Sequence, residues 1–96
     1  MTSFENQIPG SHILYQNYPN PFNPNTIINY ELQNTGYISL TLFDITGKQI
    51  RIIEQGIRKA GSHEISFNAE DLPSGNYFYE LRSGDISMVR KMTLIR

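Results

Sequence analysis

The chain has 96 residues, neither cysteine nor tryptophan, and a formal charge of −1. One small domain is expected, and a chain of this size buries roughly 60–65% of its unfolded surface, which leaves little room for a deep catalytic cleft. The lack of cysteine excludes disulfides, thiolate metal sites and a cysteine nucleophile, and the near-zero net charge gives no global attraction for nucleic acid or anionic lipid.

Residues 1–12 show no hydrophobic period and are expected to be linker or domain boundary. With neither a basic start nor an apolar run they do not form a signal peptide, and nowhere does the chain approach the ~18 apolar residues of a membrane-spanning helix. A leader for export would therefore lie on sequence upstream. Ile13-Leu14-Tyr15 has the character of a short edge strand. The most distinctive stretch follows: Tyr18-Pro19-Asn20-Pro21-Phe22-Asn23-Pro24-Asn25-Thr26. Each proline fixes its own φ near about −65° and pushes Tyr18, Asn20 and Asn23 toward extended geometry, which excludes helix and central strand. Phe22, a large apolar side chain in this polar lead-in, is expected to plug one end of the core.

From residue 26 to 32, Ile28, Tyr30 and Leu32 alternate with Ile27, Asn29 and Glu31, the period of a strand with one buried face. Gln33-Asn34-Thr35-Gly36 is turn chemistry with Gly36 free to take a positive φ, and residues 37–44 form a second strand with Ile38, Leu40 and Leu42 inward. Asp44-Ile45-Thr46-Gly47-Lys48 is a tight hairpin connection into residues 49–55, with Ile50 and Ile52 as the inner face. Ile53 and the span from Gly56 to Gly61 suggest that this strand ends in a bend or bulge. His63, Ile65 and Phe67 face inward on the fourth strand, and residues 68–74 make a surface crossing between sheets. Tyr77, Tyr79 and Leu81 mark a central strand, Ser83-Gly84-Asp85 the last turn, and residues 86–95 a final strand with Met92 and Leu94 inward. Helical spacing is nowhere sustained. The expected fold is all-β, a small immunoglobulin-like antiparallel β-sandwich of about seven strands.

Taken together and in this order, Tyr18-Pro19-Asn20-Pro21-Phe22-Asn23-Pro24, the Ile28-x-Tyr30-x-Leu32 run, Phe43-Asp44-Ile45-Thr46-Gly47-Lys48, Ala60-Gly61-x-His63, Leu72-Pro73-Ser74-Gly75-x-Tyr77-Phe78-Tyr79 and Lys91-Met92-x-Leu94 resemble the C-terminal type A sorting domain of the bacterial type IX secretion system. The resemblance covers residues 14–96, leaving residues 1–13 as a linker or leader from an upstream cargo. It implies an address instead of a reaction. A fused N-terminal cargo enters the periplasm, the domain is recognised by the outer-membrane secretion apparatus, the cargo reaches the cell surface or medium, and a surface sorting peptidase removes the domain at a point before Leu14. The sorting information of the family lies chiefly in its last two strands, which match Gly75, Tyr77, Lys91, Met92, Leu94, Ile95 and Arg96. Pro19, Asn20, Pro21, Phe22, Asn23, Pro24, Asp44 and Gly47 match its structural motifs.

Residue chemistry by itself fits that role without demanding it. A last strand with an apolar inner face and an outer face carrying Arg90 and Lys91 offers backbone and basic groups for strand addition, although such charges are equally ordinary gatekeepers against aggregation. Arg82, Arg90, Lys91 and Arg96 make that end locally basic. Deleting residues 91–96 is expected to abolish export with less effect on the sandwich.

Catalytic and ligand readings are weaker. His12 and His63 lack sequence partners for a triad, and adjacent Glu70 and Asp71 would point apart. No cofactor is expected, one weak Ca²⁺ site built from Asp44, Glu70, Asp71 and Asp85 being the alternative to solvated turn carboxylates. Gly36, Gly47, Gly61, Gly75 and Gly84 precede no helix that would cradle a phosphate. Tyr77 and Tyr79 suit a core better than a sugar platform. Neither nucleic acid binding nor stable membrane insertion is expected. The competing function is an immunoglobulin-like adhesion or carbohydrate-binding module of a surface protein, and behind it a structural spacer.

Overall fold

In the computed structural model, which describes residues 12–96, the period-two patterns become seven strands joined in two antiparallel sheets. They are β1 (Ile13–Leu14), β2 (Asn25–Leu32), β3 (Gly36–Asp44), β4 (Gln49–Arg58), β5 (Gly61–Asn68), β6 (Gly75–Ser83) and β7 (Ile86–Leu94). One sheet has the order β1-β2-β5 and the other β4-β3-β6-β7. Of the expected linker, residues 1–13, residues 1–11 lie outside the described residues, while Ile13 belongs to β1.

The core lies between the sheets. Ile28, Tyr30 and Leu32 of β2 meet Ile38, Leu40 and Leu42 of β3 and Tyr79 and Leu81 of β6, all buried, with Met92 and Leu94 of β7 and Phe67 of β5 completing it. β6 is central as its two inward tyrosines imply, paired to β3 on one side and β7 on the other. The crossing after β5 is pinned by Arg51, whose guanidinium pairs with Asp71 at 2.7 Å and sits 5.7 Å from the Phe67 ring centroid. The Tyr77 hydroxyl donates to Pro73 O at 2.5 Å, a bond from the start of a strand back to the preceding turn that is characteristic of immunoglobulin-like sandwiches.

The hairpin at Asp44 is built as its composition implies. Asp44 Oδ1 accepts from Thr46 N, Thr46 Oγ1 and Lys48 N at 2.9, 2.6 and 3.0 Å, while Gly47 takes φ +88°. These donors, the Thr46 hydroxyl first, hold the Asp44 carboxyl below the usual carboxylate range.

Four details depart from the pattern in the sequence. In β4, Leu40 pairs with Glu54 but Thr41 with Ile52, and Leu42 pairs with Arg51 but Phe43 with Gln49. Ile53 and Ile50 are thus the extra residues of two bulges, and both pack against the core. Ile52, expected inward, is turned out opposite Thr41 and is 45% exposed, because each bulge reverses the alternation that follows it. The strand does not end at the bend expected there but continues to Arg58, passing Gly56 at φ +134°, where a Cβ would lie 2.8 Å from Arg58 Nη1. Gly36 opens β3 without a positive φ. The last strand stops at Leu94, one residue short of the expected end. Ile53→Ala should therefore cost about 1–2 kcal/mol in urea unfolding and Ile52→Ala less than about 0.5 kcal/mol.

Candidate functional site: the collar and the terminal strand

Residues 15–24 close one side of the sandwich by bonding first to one sheet and then to the other. Tyr15 N donates to Asn29 O, and Tyr18 and Ile27 exchange both backbone bonds, all at 3.0 Å, so the lead-in begins as an extension of the edge beside β2. It then crosses to β7. Phe22 N donates to Thr93 O at 3.0 Å, Ile95 N donates to Phe22 O at 2.9 Å, and Thr93 N donates to Asn20 Oδ1 at 2.9 Å. Gln16 Nε2 adds a bond to Lys91 O at 2.6 Å, and Arg90 Nε reaches Leu14 O at 2.9 Å. Proline suits this path because it lacks the N–H that a central strand would need, while Pro19 O and Pro24 O still accept bonds from Thr26 Oγ1 and Ala69 N.

Phe22 is the plug its composition suggests. It is buried, with its ring centroid 6.5 Å from that of Phe67 at an interplanar angle of 59°. Pro19, Asn20, Pro21 and Asn23 stay exposed around it.

A buried polar knot holds the collar against β6. Tyr79 lies in the middle of the inner face, and its hydroxyl donates to Tyr15 O at 2.8 Å and accepts from Asn17 N at 2.7 Å. Asn17, itself buried, donates through Nδ2 to Pro19 O and Thr26 Oγ1 at 3.1 and 3.0 Å. Burial drives the Tyr79 phenol up to about 12. Asn17, Thr26 and Gln16 were invisible to hydrophobic periodicity; their one signal in sequence is the density of Asn, Gln and Thr around the prolines.

The residues matched to sorting motifs divide by exposure. Tyr77, Met92 and Leu94 are buried, Gly75 faces Leu94 across the β6–β7 pair, and Lys91, Ile95 and Arg96 are exposed. The basic end is less available than its composition implies. Arg90 is not on the outer face with Lys91: it pairs with Tyr79, on the inner register, and turns toward β1. Arg96 Nη2 donates to Ala69 O at 3.2 Å, to Glu70 O at 2.7 Å and to Leu72 O. Arg82 pairs with Glu80 at 3.2 Å. Among the described residues, Lys91 alone of these four basic groups has no side-chain bond or ion pair.

Elsewhere the titratable side chains serve the fold. His63 stacks on Tyr30 at 5.1 Å and its Nε2 lies 2.7 Å from Lys59 O, while His12 Nδ1 accepts from Gln33 N. No three His, Asp or Glu side chains converge among the described residues: Asp44 is engaged in its turn and Asp71 with Arg51.

Since the raised Tyr79 pKa belongs to the folded state, its contribution to stability is complete below pH ~10 and is lost as pH rises toward about 12. Burial also raises Tyr30 and Tyr77, in the same direction. Tyr79→Phe should lower unfolding free energy by about 1–3 kcal/mol at pH 7, by orphaning Asn17 N and Tyr15 O, and should flatten the alkaline fall without abolishing it. Urea titrations at pH 7 to 11 measure both.

Comparison with known proteins agrees with this construction. Residues 16–95 match the family described as the secretion system C-terminal sorting domain. No curated protein matches the chain. Among solved structures, part of PorZ, an essential bacterial surface component of the type IX secretion system of Porphyromonas gingivalis, is similar at 26% identity and a TM-score of 0.59. The similarity covers 86% of this chain but 11% of that one, so the chain corresponds to a small portion of PorZ. The match spans the collar, both sheets and β7, and the chain belongs to the family of secretion system C-terminal sorting domains.

Proposed function

We propose that this domain is a non-catalytic address that directs a fused N-terminal cargo across the outer membrane through a type IX secretion system. The observation that carries the reading is the family match over residues 16–95, supported by the similarity to PorZ. On this reading the sorting domain expected over residues 14–96 also takes in His12 and Ile13, which are tied to Gln33 and Glu31, the preceding residues belong to the linker, and the cargo passes through the periplasm to the cell surface or medium. The sorting information lies in Gly75, Tyr77, Lys91, Met92, Leu94, Ile95 and Arg96, and a surface sorting peptidase separates cargo from domain. Ile13 pairs with Glu31 and His12 bonds to Gln33, so a cut that spares the fold falls before His12.

On this reading their roles divide by exposure. Tyr77, Met92 and Leu94 act from within, by holding β6 and β7 in register, whereas Lys91 and Ile95 present side chains to a receptor. Arg96 acts by clamping the crossing after β5. The adhesion alternative has no support in Tyr77 and Tyr79, which are buried and offer no stacking surface.

Deleting residues 91–96 is a poor test, contrary to the expectation from sequence, because it removes buried Met92 and Leu94 together with the partners of Asn20 and Phe22. Point variants are cleaner. A periplasmic reporter fused to residues 12–96 should reach the surface in a host with the secretion system, and retention of a folded fusion in the periplasm would refute the proposal. Lys91→Ala combined with Ile95→Ala should cut surface delivery about tenfold, equivalent to ~1.4 kcal/mol of lost recognition, with melting temperature nearly unchanged. Undiminished delivery would remove these side chains from recognition.

A further inference from the structure

Among the described residues, the outer side of β7 is only half covered. Thr93 N and O both point away from β6 toward the collar, so by the period of a strand the backbone groups of Lys91, Val89 and Ser87 point the same way. Of these, Lys91 O accepts from Gln16, and the remaining groups, Lys91 N–H and both groups of Val89 and Ser87, have no partner among the described residues. The result is a closed half, residues 93–95, and an open half, residues 87–91.

The other edges are less suited to pairing. β1 is two residues long, and β4 is broken by two bulges, devices that blunt an edge. β7 pairs with β6 over all nine of its residues without a register shift. β5 is also regular but lies outside the last two strands, to which the resemblance assigns the sorting information.

Unpaired amides and carbonyls on alternate residues, about 7 Å apart, complement the backbone of another extended chain. On the outer face the open half presents Val89, which is 55% exposed, and Lys91 beside it. Val89 also rims a shallow groove lined by Phe43, Ile45 and Phe78. Such a row favours an apolar side chain against Val89 and an acidic one against Lys91.

We infer that residues 87–91 of β7 are the docking edge for an extended segment of the export apparatus, apolar opposite Val89 and acidic opposite Lys91, and that the collar sets where the added strand stops. The inference rests on the sorting reading above and narrows it. The collar's bonds to Lys91 O, Thr93 and Ile95 then prevent the incoming strand from sliding toward the C-terminus, so the pairing register is fixed by the same stretch that plugs the core.

Proline substitution tests the edge directly. Val89 N–H points away from β6, so Val89→Pro deletes an outer donor and obstructs an added strand while sparing the β6–β7 ladder. Val89→Thr keeps the N–H, and Ser87→Pro repeats the block one step nearer the turn. Surface delivery of the reporter is measured per folded, protease-resistant periplasmic molecule. Val89→Pro and Ser87→Pro should each lower it at least about tenfold, with Val89→Thr within about twofold of the parent. A folded Val89→Pro domain exported like its parent overturns the inference, and if that variant does not fold, Ser87→Pro decides on the same terms. Failure of the unsubstituted fusion to be exported would instead refute the sorting reading. Sedimentation of the isolated domain separates the remaining occupant: a dimer abolished by Val89→Pro would assign the edge to a second copy and overturn an apparatus segment.

Discussion

A phenol buried between two sheets is costly without a hydrogen-bond partner, and Tyr79 takes both an acceptor and a donor from the backbone of the lead-in. Much of the domain's organisation follows from that requirement. Satisfying the hydroxyl draws residues 15–17 against the sandwich, which buries Asn17, whose amide in turn fixes Pro19 and Thr26. The chain is then aimed across the open side toward β7, where Phe22 enters the core and its backbone pairs with Thr93 and Ile95. A hydrogen-bond constraint at the centre of β6 thereby positions the partner of the terminal strand.

The succession of strands along the chain, the hairpin at Asp44, the central place of β6 and the plugging by Phe22 were legible in the sequence, because each rests on local chemistry: alternation, turn residues, or one conspicuous aromatic. What escaped was non-local. The bulge at Ile50 leaves no trace in the sequence, and the irregularity that Ile53 suggested was expected to end the strand instead of shifting its register, so Ile52 looked buried and is not. Asn17 carries no hydrophobic or motif signal of its own, and its burial depends on a tyrosine distant in sequence. Arg90 and Arg96 read as free charge because sequence shows a guanidinium but not the carbonyls that collect around it. The motifs named the family correctly, and the two most distinctive stretches of the chain, far apart in sequence, turn out to touch.

That contact changes what the terminal strand offers. With Thr93 and Ile95 engaged by the collar, backbone recognition is displaced toward the middle of β7, while the motif residues nearer the C-terminus act mainly by building the strand. The collar also gives the edge a boundary, which is how a small sandwich can expose a pairing surface without inviting indiscriminate edge-to-edge association.

The division of β7 into a covered and an open half is the central claim, and amide hydrogen exchange in the isolated domain tests it most directly. Thr93 and Ile95 amides should exchange orders of magnitude more slowly than those of Val89 and Lys91, and Phe22→Ala should bring the first pair toward the second. Equal protection of all four amides, or fast exchange at Thr93 and Ile95 in the intact domain, would contradict the account.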